Sequence, residues 1–327
     1  SKLSEDDYTR QLAKHKLDLE LEKQALRDER YELLRLRRNE SRMRSKIEDM
    51  WRCIAEGGKQ DYRLHVAPHI SGDSDLLVCL SDLHYGAVYD STFGNYNPEL
   101  ARQRLGEYLS RVLEIRRTHQ SEGCYVCLLG DMISGNIHKS ITITNRENVV
   151  RQVQQCSELV AQFCFELCKA FASVTLLSVN GNHSRLDRKE DALKDERLDE
   201  FIPWYVAAKL SHIENFAVKA SKPDSSICDV DIRGKEYIAC HGDFDPMTKQ
   251  GVANLVMLLG YKPYAILRGH SHVCATNEIG GVQVVQSGCL GGSGDDFTVQ
   301  KRLTGTASQM VCVCDESGIV ANYRVAL

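Results

Sequence analysis

The chain has 327 residues, a formal net charge of −4 and an isoelectric point near 6.3. This length allows one large domain and an appendage, with a core that needs no disulfide or metal to hold it together. The charge excludes a basic surface over the whole protein, so any contact with nucleic acid must be local. No apolar run reaches the roughly 20 residues of a membrane-spanning helix, and the N-terminus is charged. We therefore expect a cytoplasmic protein without a membrane partner.

Residues 1–56 are densely charged and contain neither glycine nor proline. Leucine recurs once per heptad, which predicts a long helix with a coiled-coil seam; these positions are Leu12, Leu19, Leu26 and Leu33. One interpretation is a coiled coil that makes the protein a homo-oligomer, and this is the one we favour. In the other, the helix is an arm that lies on the rest of the chain or on nucleic acid.

The thirteen cysteines are dispersed, and many lie in apolar, strand-like runs, as expected for free thiols in a reducing compartment. Cys124 and Cys127 have the spacing of a metal or redox pair, but the run that contains them is typical of a strand. We therefore expect both side chains to pack in the core.

Residues 57–74, which begin with Gly57 and Gly58, read as a linker, and residues 75–327 as the main domain. Strand and helix patterns alternate in its first half. Strands are predicted at 76–81, 124–129 and 174–179, and helices at 98–117, 147–171 and 192–210. The second half is rich in predicted strands, at 227–232, 236–240, 265–267, 282–286, 309–314 and 319–325.

Five short polar motifs follow apolar runs of this kind. They are Asp82-Leu83-His84, Gly130-Asp131, Gly181-Asn182-His183, His241-Gly242 and Gly269-His270-Ser271-His272. Any one of them is weak evidence, but their number and order are informative. They supply the nitrogen and oxygen donors of a two-metal hydrolytic site.

The full set resembles the calcineurin-like metallophosphoesterase superfamily over residues 75–327. The resemblance implies an α/β fold, a four-layer αββα sandwich in which helices flank two central sheets. Sites in such folds form from loops at the carboxyl ends of strands, where these motifs are expected to lie.

The resemblance also implies the site residues. Asp131 would bridge two divalent ions, Asp82, His84 and His272 would complete the first ion's ligands, and Asn182, His241 and His270 those of the second. His183 would act beside the scissile phosphate, as a proton donor or a stabiliser of charge. Arg185 and His138 are candidate substrate-binding residues. These donors are nitrogen and oxygen atoms without a thiolate, a set that suits manganese. We therefore expect manganese, with iron or zinc as alternatives.

The residues around the motifs narrow the substrate. Met132-Ile133-Ser134-Gly135 and Ser184 depart from the protein phosphatase pattern, which disfavours that subfamily. Ser81-Asp82-Leu83-His84-Tyr85-Gly86 looks closest to nucleases of the Mre11/SbcD type, although these usually have aspartate where this chain has Ser184. We expect a two-metal phosphodiesterase that acts on DNA. The alternatives are a phosphodiesterase for nucleotides or cyclic nucleotides and, less favoured, an oligomeric scaffold without catalytic activity.

Overall fold

The computed structural model describes residues 16, 18–30, 62–63, 66–137, 145–187, 189, 192–219, 222–302 and 304–327. The chain divides into two units, Ser1–Gly57 and Gly58–Leu327. In the first unit, residues 18–30 are helical and exposed, as the heptad pattern predicts there. The rest of the leucine seam lies outside the described residues. The coiled coil and the limits of the extension and linker therefore stay predictions.

The second unit contains a six-stranded mixed sheet, in the order β13-β12-β1-β4-β5-β6. Its central strands β1, β4 and β5 run parallel, as expected where helices connect successive strands. The strands are β1 (Asp75–Leu80), β4 (Gly123–Leu128), β5 (Ser173–Ser178), β6 (Phe216–Val218), β12 (Ser308–Asp315) and β13 (Gly318–Ala326).

A second sheet has five strands in the order β10-β11-β9-β8-β7. Its three inner strands β8, β9 and β11 run parallel to one another, with an antiparallel strand at each edge. The strands are β7 (Ile227–Ile232), β8 (Lys235–Cys240), β9 (Ala265–Arg268), β10 (Ala275–Ile279) and β11 (Val282–Gln286). A separate hairpin joins β2 (Tyr89–Ser91) and β3 (Gly94–Tyr96).

The main core lies between the two sheets and draws on both. Leu77 and Leu177 from the first sheet share one buried cluster with Ala239, Leu267 and Val285 from the second. These strands read as nearly continuous apolar runs because one face packs on the other sheet and the opposite face on helices. The twelve cysteines in the described part of the chain are free, and almost all are buried.

Cys124 and Cys127 are both buried, which agrees with the prediction of core packing. Because side chains alternate across a strand, residues three apart on β4 point to opposite faces. Cys127 belongs to the core between the sheets, whereas Cys124 lies outside that cluster. The two thiols therefore cannot share one metal ion.

Helices cover the outer faces. The helix α1 (Pro98–His119) buries the stripe Ala101, Leu105, Tyr108, Val112 and Ile115, and the Asn97 side chain caps its first turn. Next come α2 (Val149–Cys168), a 3₁₀ turn (Leu198–Glu200) and α3 (Phe201–Lys209). Across the second sheet, α4 (Lys249–Leu259) buries Val252 and Leu255 against β7–β9 and β11. A short helix, α5 (Asp296–Lys301), follows. The predicted four-layer αββα fold is confirmed.

Most predicted elements appear with ends shifted by a few residues. The helix predicted at 192–210 is wrong before residue 198, because that segment bonds to a neighbouring loop: Arg197 pairs with Arg185, and Leu198 N–H donates to the Ser184 carbonyl. The sequence analysis also missed α4, although Thr248 and Gly260 are typical helix-capping residues. It missed β10 because residues 275–278 are exposed and carry no apolar alternation.

Within the part of the chain that the structure describes, no helix is both long and apolar enough to cross a membrane.

The core between the sheets should dominate the stability of this unit. Val285→Ala removes methyl groups from a fully enclosed site and should lower the free energy of unfolding by about 2 kcal/mol or more. Val320→Ala is the matched control, since Val320 is 50% exposed on β13 and its truncation should cost less than about 0.5 kcal/mol. Urea unfolding measures both. Equal losses would show that the inter-sheet core does not limit stability.

Candidate metal centre and active site

All five motifs lie where strands end at their carboxyl side. Asp82 and His84 follow β1, Asp131 follows β4, and Asn182 with His183 follows β5, so three loops come from the first sheet. His241 follows β8, and the loop with His270 and His272 follows β9, so two loops come from the second sheet. The two sheets thus present their carboxyl ends to one shared site.

The backbone is strained at these loops. Among the described residues, eight that are not glycine have positive φ, and five of them are candidate ligands: Asp82, His84, Asp131, His270 and His272. The left-handed conformation costs about 1–2 kcal/mol for a residue with a side chain. Strain of this kind persists only where the surrounding structure enforces it, and it is concentrated at functional sites.

Close approach of two loops explains one glycine directly. A Cβ atom on Gly181 would lie 2.1 Å from the Asp131 nitrogen and 2.2 Å from its Oδ1. Any side chain at residue 181 would therefore displace the candidate bridging carboxylate.

Asp82, His84 and His272 form the first of two clusters. The Nε2 atoms of His84 and His272 lie 3.1 Å apart, and they are 3.8 Å and 3.4 Å from Asp82 Oδ1. The second Asp82 oxygen accepts hydrogen bonds from the Ser81 hydroxyl and from the His270 N–H, at 2.9 Å for the latter. These bonds fix the carboxylate so that Oδ1 faces the two imidazoles.

The second cluster contains Asp131, Asn182, His241 and His270. His241 Nε2 lies 3.3 Å from Asp131 Oδ2, 3.2 Å from Asn182 Oδ1 and 3.2 Å from His270 Nδ1. His241 Nδ1 donates to the Leu129 carbonyl at 2.7 Å, which leaves Nε2 as the ring atom that faces the cluster. Asp131 also groups with His84 and His183, within 4.8 Å, so it stands between the two clusters.

Two observations indicate that the site suits cations. Asp82 Oδ1 is buried and has no hydrogen-bond partner among the described residues, which is costly for a charged oxygen unless a cation faces it. Burial alone would lower the pKa of His241, yet the charge of Asp131 and its hydrogen bond outweigh burial and raise that pKa to about 10. The same negative field would attract a metal ion.

The donor atoms fit the predicted groups. Imidazole nitrogens, carboxylate oxygens and one amide oxygen are the ligands of divalent transition metals. The structure therefore brings together all seven side chains that the sequence analysis named as ligands, in the two predicted groups. Their individual roles remain predictions.

The calcineurin-like phosphoesterase superfamily domain model matches residues 117–305, more than half of the chain. The chain belongs to the calcineurin-like phosphoesterase superfamily. The matched region includes the motifs from Asp131 to His272, while Asp82 and His84 precede it. The Asp/His clusters lie among the loops of this domain and are candidate sites for a divalent metal.

A curated relative is the SPbeta prophage-derived uncharacterized protein YonJ of Bacillus subtilis (strain 168), which is 22% identical over 170 residues. The alignment covers 51% of this chain and 42% of YonJ, so the chain spans less than half the length of that relative.

Among solved structures, vacuolar protein sorting 29 from Cryptosporidium parvum is 14% identical, with a TM-score of 0.37, and the alignment covers 78% of this chain and 99% of that one. A novel archaeal phosphodiesterase is 13% identical, with a TM-score of 0.36 and coverage of 77% and 99%. Likeness at this level carries no argument about the activity of this phosphoesterase.

His183 lies beside the clusters with its ring in edge contact with His84, at 4.4 Å between centroids. Its Nδ1 donates to the Ser134 carbonyl at 2.9 Å, and its Nε2 lies 4.0 Å from Asp131 Oδ2. The His183 main-chain N–H donates to Asp131 Oδ1 at 2.7 Å. The ring is therefore held with Nε2 free to act in the site.

Of the two candidate substrate-binding residues, only Arg185 lies within the described part of the chain. Arg185 follows the Asn182 loop, where its Nη1 donates to the Asn182 carbonyl at 3.3 Å. His138 lies outside the described residues, so its role stays a prediction.

Asp199 was not predicted as a site residue; it is 4% exposed at the 3₁₀ turn. Its Oδ2 accepts the main-chain N–H of Gly181 at 2.9 Å and that of Asp131 at 3.2 Å. Burial and the charge of Asp131 raise the pKa of Asp199 to about 6. One oxygen thus ties the loop of the bridging carboxylate to the loop of Asn182. The sequence holds one signal for this, since Ser184 stands where the pattern of Mre11/SbcD-type nucleases usually has aspartate and another segment can supply the carboxylate.

Cys289 was also missed. Its Sγ lies within 4.8 Å of the ligand atoms of His84 and His272. Burial raises the pKa of this thiol, and as a neutral group it donates to the Asp82 carbonyl at 3.1 Å and accepts the Gly291 N–H at 3.3 Å. These contacts make Cys289 a support for the strained main chain at Asp82.

Asp199→Ala should weaken metal binding, because it leaves two buried N–H groups unpaired and unties the two loops. We expect about a 10- to 100-fold loss of metal affinity and about 1–3 kcal/mol of stability. Asp199→Asn keeps an acceptor oxygen and should recover most of both. Titration calorimetry and chemical unfolding measure the two quantities.

The matched control is Glu196→Ala, which removes an exposed acid from the same segment and should change neither quantity. Wild-type metal affinity in Asp199→Ala would contradict the role of Asp199.

Proposed function

We propose that this phosphoesterase is a two-metal phosphodiesterase that hydrolyses DNA. The position of Asp131 carries the proposal. Its carboxylate groups with His84 on one side and with His241 and His270 on the other, which suits a carboxylate shared by two ions. Shared carboxylates of this kind allow two ions to stand about 3.5–4 Å apart.

Asp82, His84, His272 and Asp131 would hold one ion, and Asn182, His241, His270 and Asp131 the other. Two such ions neutralise charge on a phosphoryl group and make a water acidic enough to serve as the nucleophile near neutral pH. Manganese is the proposed metal because nitrogen and oxygen donors predominate and the nearby Cys289 thiol is already engaged by the main chain.

His183 is the proposed proton donor. Since Nδ1 donates to the Ser134 carbonyl, the second ring proton of the charged form resides on Nε2, next to Asp131. From there it can pass to the leaving oxygen of the ester, or the charged ring can stabilise the transition state. The Ser134 carbonyl keeps the ring in this orientation throughout.

DNA is the proposed substrate for two reasons. The Ser81–Gly86 motif resembles nucleases of the Mre11/SbcD type, and Arg185 places a guanidinium, the side chain best matched to phosphate, directly after the Asn182 loop. The net charge of −4 gives no basic field over the whole protein, so the contact with the strand would be local.

A small nucleotide is the second candidate. An open cavity of about 400 Å³ is lined by Val273, which follows His272 in the chain, by Cys274, several hydroxyl groups and Arg324. A cavity of that size can take a nucleoside, and Arg324 can pair with a phosphate. Hydrolysis of cyclic nucleotides without action on DNA would favour this candidate.

We also propose that the N-terminal helix makes the protein a homo-oligomer. Leu19 and Leu26 lie on the predicted seam and are 51% and 60% exposed within one chain. A second copy of the same helix would cover them.

The enzymatic proposal is tested with a panel of DNA, RNA, cyclic nucleotides and bis(p-nitrophenyl) phosphate, each with manganese, iron or zinc. We expect DNA hydrolysis with manganese and its loss on chelation. Asp131→Asn and His183→Asn should each lower kcat about 100-fold or more, because they remove a ligand and a proton donor.

His69→Asn is the control, since His69 is exposed and belongs to none of the motifs, and the activity of this variant should equal that of the wild type. Full activity in His183→Asn would remove this residue from the mechanism. Failure of the whole panel would count against a phosphodiesterase.

The oligomer is tested in the full chain. Leu19→Glu combined with Leu26→Glu places charges on the predicted seam and should reduce the mass measured by light scattering to that of the monomer. Leu21→Glu introduces the same charge at an equally exposed leucine off the seam and should leave the mass unchanged. If the double variant keeps the wild-type mass, or if the wild type is monomeric, the coiled coil is wrong.

A further inference from the structure

Two arginines lie side by side next to the candidate metal centre. Arg185 and Arg197 are paired in an isolated antiparallel bridge. Residues paired in this way project their side chains to the same face, with Cβ atoms about 5 Å apart. A second bond, from Leu198 N–H to the Ser184 carbonyl at 2.9 Å, holds the two segments together. Like charges so placed repel unless an anion lies between or near them.

Each guanidinium has one buried nitrogen without a hydrogen-bond partner in the part of the chain that the structure describes. Arg197 is 8% exposed, and its Nη1 is buried without a hydrogen-bond partner in the described part of the chain. Arg185 Nε is in the same state. Among the described residues, Arg185 donates to the Asn182 carbonyl and Arg197 to the Lys194 carbonyl, both at a long 3.3 Å. Buried donors on charged groups are rarely left unpaired, so these donors point to a ligand.

The carboxylates nearby do not fill this role. Asp131, Asp199 and Asp243 act on Arg197 electrostatically, which offsets part of the cost of burying the charge. The Asp131 oxygens, however, face His183 and His241, and Asp199 Oδ2 is taken by two main-chain N–H groups. Among the described residues neither arginine donates a hydrogen bond to a carboxylate, Asp243 included, so Arg197 Nη1 and Arg185 Nε keep no protein acceptor there.

The position of the pair relates it to the substrate. Arg185 bonds to the carbonyl of Asn182, which is a candidate ligand of the second ion. A phosphate held by the arginines would therefore be beside, and separate from, the phosphate held at the two clusters. Planar guanidinium groups bind phosphate through paired N–H bonds.

We propose that Arg185 and Arg197 form a second phosphate subsite, which holds the phosphate next to the scissile one in a nucleic-acid strand. This inference rests on the proposed phosphodiesterase function and adds a requirement to it. The preferred substrate must carry a second phosphate on the side of Asn182. A diester with a single phosphate would bind the clusters but leave the arginines without a partner.

The test uses two substrates that differ only in that phosphate: a thymidine dinucleotide with and without a terminal phosphate. The wild type should have a kcat/KM about 10-fold or more higher for the phosphorylated dinucleotide, mainly through KM. Arg197→Ala should abolish most of this preference. Arg197→Lys keeps the charge but not the planar fork, and should recover only part of it.

Arg151→Ala is the matched control, because it removes one positive charge from an exposed position on α2. It should leave the preference unchanged. Circular dichroism melting checks that each variant is folded. The subsite is overturned if the wild type does not distinguish the dinucleotides, if Arg197→Ala keeps the preference, or if Arg151→Ala loses it equally.

A binding measurement separates this inference from the proposed function. Calorimetric titration with the phosphorylated dinucleotide should show about 10-fold weaker binding to Arg197→Ala than to the wild type, whether or not hydrolysis occurs. Equal binding overturns the subsite. Hydrolysis of the unphosphorylated dinucleotide or of bis(p-nitrophenyl) phosphate reports on the phosphodiesterase alone, so the two can fail independently.

Discussion

The constraint on which this structure depends is the placement of a buried carboxylate, Asp131, where negative charge must be balanced. The side chain is 1% exposed, and its main chain adopts a left-handed conformation. One oxygen accepts the His183 N–H, and the other faces His241. Burying this charge is costly, and only neighbouring cations and donors offset the cost. The fold supplies those neighbours from five loops.

Two sheets are needed to meet that constraint. The first sheet carries Asp82, His84, Asp131, Asn182 and His183 on three adjacent strands, and the second contributes the remaining histidines from β8 and β9. The dense core between the sheets sets the distance between these two groups of loops. The left-handed residues at the loops each cost about 1–2 kcal/mol, several kcal/mol together. The free energy gained by packing this core must offset that cost. Asp199 and Cys289 stabilise the strained loops through hydrogen bonds to their main chain.

Negative and positive side chains lie in different places around the site. Carboxylates concentrate at the two clusters, where they favour positive charge, while Arg185 and Arg197 lie to one side, where they favour negative charge. The proposed phosphodiester substrate is itself an anion and would need both: cations at the reacting phosphate and donors for the remainder of the molecule. The small net charge of −4 conceals this local separation.

The sequence by itself predicted most strands of both sheets, because apolar runs are local signals. Its motifs carried the family resemblance, which implied the fold class and the candidate ligands. The CxxC pair was also correctly placed in the core. Only the tertiary structure decided which side chains meet. It placed Asp199 behind two loops, set Cys289 against Asp82, paired Arg185 with Arg197 and kept residues 192–197 from forming a helix. Each of these depends on contacts between segments distant in sequence or joined by an irregular loop, and no local pattern encodes such contacts.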